Sequence, residues 1–104
     1  MEKLFENKAK RYMTKAIAEE ISMELVSILW ILIDTLVEQN LTLDYLQVFK
    51  LSESDGKQVI LHKQEVPKMK GKHIRIIQES AALTTIIWCI DNGESQVMLF
   101  PQDY

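Results

Sequence analysis

The stretch IIWCIDNGESQVMLFPQDY, residues 86–104, decides how the chain is read. Two runs rich in β-branched and aromatic residues, TTIIWCID and SQVMLF, flank Asn92-Gly93. An Asn-Gly pair between such runs signals a two-residue hairpin turn, because both central residues of a type I′ turn need positive φ. On that reading Asp91 opposes Glu94, Cys89 opposes Gln96 and Trp88 opposes Val97, and directly opposed residues share a sheet face. Ile86, Trp88, Val97 and Leu99 are then expected to face the core. Cys89 falls on a mixed side with Ile87, Met98 and Asp91, and the paired charges of Asp91 and Glu94 fit an exposed tip.

Working towards the N-terminus, KQVILHKQEV (57–66) and LTLDYLQVFKLS (41–52) form a second expected hairpin around a polar loop containing Gly56. Leu43, Tyr45, Gln47, Phe49 and Leu51 lie on one side of the earlier strand and Leu46 and Val48 on the other, the pattern of a central strand. HIRIIQ (73–78) reads as a short strand or turn, and RYMTKAIA (11–18) as the first strand. Between them, Leu25, Leu29, Leu32 and Leu36 recur at helical spacing in EEISMELVSILWILIDTLVEQN, with Ser22 as cap and Asn40 near the end. The expected fold is α+β: an antiparallel sheet of about four to five strands with one long helix packed against it.

The middle of that helix is apolar on almost every side, more than one buried stripe requires. Either a loop or the N-terminal arm, with Leu4 and Phe5, covers the excess, or a second copy of the protein does, in which case Trp30, Ile31 and Ile33 form the contact surface.

A chain of 104 residues is expected to form one domain, 1–104, with residues 1–10 flexible. Its 47% hydrophobic and 26% charged residues exclude a disordered polar chain. One cysteine forms no internal disulfide, the start has no secretory pattern, and LVSILWILI is nine residues where a bilayer span takes about 20. A cytoplasmic protein is therefore expected, with no membrane segment. The net charge of −3 is unevenly spread: residues 19–55 carry eight acids and one lysine, residues 57–75 six Lys/Arg and one acid.

The chemistry-bearing residues do not assemble into a recognisable set. Cys89 sits among Ile87, Trp88 and Ile90, a setting that raises a thiol pKa, and neither His62 nor His73 has a spacing that ties it to the thiol. Three Cys and His residues are too few for structural zinc, SESDGK lacks the calcium-loop ligand series, and no glycine-rich phosphate loop exists. Glu19, Glu20, Asp34, Asp44 and Asp91 each have a local structural reason, such as a helix start or a turn. No cofactor or metal is expected. The leading expectation is a non-catalytic protein-interaction domain or homodimer. The alternative is nucleic-acid binding through the basic segment 57–75, with Lys63, Lys68, Lys70, Lys72 and Arg75 on phosphates and Tyr45 or Phe49 stacking on bases. A distant third is a small enzyme joining Cys89 to His62.

RYMTKAIAEEI, LWILID, LDYLQVFKLS, HKQEVP and WCIDNGESQVMLFPQDY, in this order, resemble the family called domain of unknown function 960, small proteins of low-GC Gram-positive bacteria. The most specific blocks are Leu43 to Leu51 and Trp88 through Asp91, Gly93, Leu99 and Pro101 to Tyr104. Ser22 stands where the family pattern commonly has proline, Cys89 is outside the pattern, and Lys68 to Lys72 do not align. The resemblance implies no catalytic or binding role.

Overall fold

The structure, a computed structural model, describes residues 3–67, 72–76 and 82–104. A 3-10 turn at Lys8–Lys10 leads into β1 (Arg11–Met13), followed by α1 (Lys15–Glu20) and α2 (Met23–Glu38). Then come β2 (Leu46–Ser54), β3 (Lys57–Lys63), β4 (Lys72–Ile76), β5 (Thr85–Asp91), β6 (Gln96–Leu99) and a final 3-10 turn at Pro101–Asp103.

The expected first strand is cut short at Thr14. The Thr14 hydroxyl accepts a hydrogen bond from the Ile17 N–H at 3.3 Å, capping α1. Lys15, Ala16, Ala18, Glu19 and Glu20 favour helix, so local propensity outweighs the weak alternation. Ile21 returns to extended backbone and Ser22 caps α2, its hydroxyl accepting from Leu25 N–H. At the other end Asn40 has φ 57, its N–H reaches the Val37 carbonyl, and Leu41 N–H reaches the Leu36 carbonyl. That is a Schellman stop with asparagine in the left-handed position.

The α+β class stands, and the sheet is mixed rather than purely antiparallel. Among the described residues its six strands run in the order β1-β6-β5-β2-β3-β4. All described pairings are antiparallel except β1 with β6, which is parallel. A strand that hands the chain directly to a helix cannot make a hairpin with its neighbour, so β1 reaches the sheet edge beside the distant β6. β2 is central, as its two-sided apolar pattern predicts.

The two turns exchange roles relative to expectation. Ser54 pairs with Lys57, leaving Asp55 (φ 52) and Gly56 (φ 75) as the two-residue turn with both φ positive. In the last hairpin Asp91 pairs with Gln96, so residues 92–95 form the loop and Trp88 opposes Leu99, not Val97. The cause is side-chain capture of the backbone: Asn92 Oδ1 accepts from the Glu94 and Ser95 N–H groups, and Asp91 Oδ1 from Gly93 N–H.

The register moves by two residues, which preserves which residues share a face. The expected core face, however, is the less covered one, with only Leu99 of its four expected residues buried. Ile87, Cys89 and Met98 are fully buried beneath the helices with Phe49, Leu51 and Ile60, while Ile86 is 41% exposed on the other side. From α2, Leu25, Val26, Leu29, Ile33 and Leu36 are buried, and Phe5 of the N-terminal arm is buried in the same core.

Buried glutamines pin the crossing segments to this face. Gln58 donates to the Leu83 carbonyl and accepts from Leu83 N–H, at 2.9 and 2.7 Å, the pattern of a strand pair. Gln64 donates to the Thr42 and Pro67 carbonyls and accepts from Asp44 N–H. Gln96 donates to the Asn7 carbonyl. Among the described residues no helix is long and apolar enough to cross a membrane.

Candidate interaction face

The apolar excess of α2 is largely absorbed inside the fold. Ile33 is fully buried in the core, so it offers no surface to a partner. Trp30 is half-buried under Arg11, whose guanidinium carbon lies 4.7 Å from the ring centroid. Arg11 is itself fixed from every direction: both terminal nitrogens donate to the Asp34 carboxylate, Nε to Gln96 Oε1 at 2.8 Å, and Nη2 to the Phe5 carbonyl. Ile31, 57% exposed, is the remaining outward residue of the three. The arm carrying Leu4 and Phe5, one of the coverings the sequence left open, packs into the same apolar cluster.

The groups with chemical potential are committed to structure. Cys89 has no accessible surface, and desolvation pushes its thiol pKa far up against a smaller opposing pull from Arg11, which keeps it a thiol. His62 lies two strands away and two residues along, roughly 12 Å from Cys89 by sheet geometry. Both amide hydrogens of Gln47 are spent on the Asp44 carbonyl and Gln64 Oε1. Its oxygen, 2.7 Å from His62 Nε2, must therefore accept, so that nitrogen carries a hydrogen and is not a base.

Four of the five candidate carboxylates have partners, and Glu20 is exposed. Asp34 holds Arg11, with Lys8 at 3.7 Å; Asp44 accepts from Val66 N–H, and Asp91 from the Phe5 and Gly93 N–H groups. Glu19 pairs on the surface with Lys15. Among the described residues no group of three Cys, His, Asp or Glu is placed to hold a metal ion.

The described basic candidates stand on two neighbouring strands. Lys63 ends β3 half-buried, Lys72 and Arg75 occupy β4 opposite His62 and Val59, and Lys68 and Lys70 lie outside the described residues. Phe49 is buried and stacked on His62 with centroids 4.4 Å apart, so no base can reach it, whereas Tyr45 is exposed.

The face opposite the helices is a contiguous surface that the hydropathy reading assigned to the core. Successive strands place Tyr12, Val97, Ile90 and Leu46 in one row, and Leu99, Trp88, Val48 and Lys63 in the next. Ile86, Lys50 and Leu61 form the third. Tyr104 packs edge-on against Trp88 at 5.9 Å. Ile86 and Tyr12 are exposed and Leu46, Val48, Leu61, Trp88, Ile90 and Val97 half-buried. Burial alternates along β2 and β5, so this side is the less covered one there, while Val59 and Leu99 on the same side are buried. The signal that could have identified the open side was Lys50, the one charge set between apolar β2 residues, in phase with Val48 and opposite in phase to Phe49.

The architecture matches a crystal structure of a protein of unknown function from Enterococcus faecalis, with TM-score 0.86, 23% identity and coverage of 100% of this chain and 98% of that one. At that identity the likeness establishes the fold. None of the curated proteins compared with the chain matches it. The model of the DUF960 family, described as staphylococcal protein of unknown function, matches residues 10–103. Those residues include every described strand and both helices, and the chain accordingly belongs to the DUF960 family.

Proposed function

We propose that this domain is a non-catalytic interaction module of the cytoplasm that binds through the open face of its sheet. One observation carries the reading: a single sheet has one face sealed by helices and the other lined by adjoining apolar side chains, with Ile86, Trp88, Ile90 and Val97 at its centre. Exposed apolar surface of this continuity costs solvation free energy and marks contact sites in folded proteins. The committed states of Cys89, His62 and the partnered carboxylates support binding over catalysis, and a lone buried thiol suits a reducing compartment.

The test compares the wild-type protein with Ile86→Lys as baits in native cytosol, each with and without nuclease. The expected result is a protein partner retained by wild type after nuclease treatment and lost by the variant, with equal thermal melting of the two baits. Equal capture by both baits, or a capture that nuclease abolishes, would overturn the reading.

A further inference from the structure

The charges on the open face are segregated. Strand register places Lys50, Lys57 and Lys63 on the same side as Val48, and no acid occupies an outward position of β2, β3, β5 or β6. The acids of residues 19–55 lie on the helices, in the connection before β2, on the covered side of β2, or in the Asp55 turn. The outward surface thus has an apolar strip on β5 and β6, with Ile86, Trp88, Ile90 and Val97, beside a ladder of three lysines on β2 and β3.

Resting on the reading of this face as a binding surface, we propose that its occupant is an amphipathic helix of another protein whose apolar stripe is flanked by acids. The dimensions fit. Lys57 and Lys63 are six residues apart on one strand, roughly 20 Å. At about 1.5 Å per residue, a helix of about 14 residues spans that length. Centred over β5, it lies about 10 Å above the sheet, the distance of two packed layers, and one flank stands over the lysines two strands away.

Charge complementarity separates this occupant from the others. A second copy packed face to face brings three more lysines and no acid from the same strands. A single-stranded nucleic acid supplies negative charge, but its bases need aromatic platforms beside the phosphate contacts, whereas Tyr12 stands on β1, four strands from the lysines of β3, and Trp88 is already packed against Tyr104. The protein's net charge of −3 repels an acidic ligand at long range, so any preference for one must come from this local ladder.

Two fluorescein-labelled 14-residue helical peptides with one leucine stripe, flanked by glutamates in one and lysines in the other, test the proposal by fluorescence anisotropy at low salt. The glutamate peptide is expected to bind about tenfold more tightly, the preference shrinking as salt rises. In K50E/K57E/K63E the order of the two peptides should reverse, and Ile86→Asn, which removes apolar surface without adding a charge beside Lys50, should weaken both. Equal binding of the two peptides, or none of the glutamate peptide, overturns the acidic helix. An Ile86-sensitive capture from cytosol would in that case leave the binding face itself standing. Light scattering that shows an Ile86-dependent dimer, or tight binding of oligothymidine, would likewise overturn the proposal by assigning the face to another occupant.

Discussion

The two faces of this sheet are built from the same strands, yet hydropathy ranks them in the wrong order. The covered face carries Gln47, Gln58, His62 and Gln96, all buried, while the open face carries Ile86 and Tyr12, both exposed. A polar side chain reads as surface only when nothing inside the fold can satisfy it. Here each buried glutamine finds donors and acceptors on segments that cross the sheet, so the cost of removing it from water is offset by bonds that position those segments. The covered face is therefore recognised by what it clamps, and the open face by what it leaves uncovered.

The contrast is sharpest at adjacent residues of β2. Phe49 is fully buried against His62, whereas Val48 is half-buried on the open side. Phe49→Ala should lower unfolding free energy by about 3–5 kcal/mol, the usual cost of deleting a core aromatic ring. Val48→Ala should cost no more than about 1 kcal/mol, because the site loses little buried area and opens no closed cavity. Urea denaturation of both variants measures the difference, and equal losses would mean that the open face is sealed after all.

A smaller effect tests the clamps. Gln58→Leu keeps the volume but strips Leu83 of partners for both its N–H and its carbonyl. Leaving such groups unpaired costs about 1–3 kcal/mol. The expected outcome is a loss of stability in that range, with faster hydrogen exchange at the Leu83 amide. A variant as stable as wild type would show that the glutamine is tolerated in the core and does not hold it together.

Much of the architecture is legible in the sequence because local rules decide it. Ser22 and Asn40 bound the long helix, since capping needs only the residues beside it. The placement of Val48 and Phe49 on opposite faces follows from the period of two. What local rules do not decide is where Arg11 goes. Its pairing with Asp34 and Gln96 spans 23 and 85 residues, and it is this contact that covers Trp30 and so alters the reading of the helix as an interface. The register at Asn92-Gly93 departs from the local rule for a related reason. Phe5 N–H binds Asp91 at 2.7 Å, and that long-range bond joins the local ones in holding the strand end where a four-residue loop is needed. The open face is illegible because apolar residues at a period of two look the same whichever side the helices cover.

The smallest expected effect is the most informative about the two faces. Ile86→Lys places a charge opposite Lys50 at a site already 41% exposed, where both ammonium groups reach water, their repulsion is screened, and no core contact is disturbed. Stability should change by no more than about 0.5 kcal/mol, as for other surface substitutions. Cys89, on the opposite side of the same strand, supplies an internal reporter: burial raises its pKa and removes it from solvent, so it reacts with a thiol reagent only when the covered face opens. Phe49→Ala, which weakens that face, should speed labelling by at least about a hundredfold if opening follows global stability. Ile86→Lys should leave the rate within about twofold of wild type, because it acts on the side the helices do not touch. If Ile86→Lys instead exposes Cys89 as readily as the core variant does, the two faces are energetically one unit, and the open face exists to stabilise the fold rather than to meet a partner.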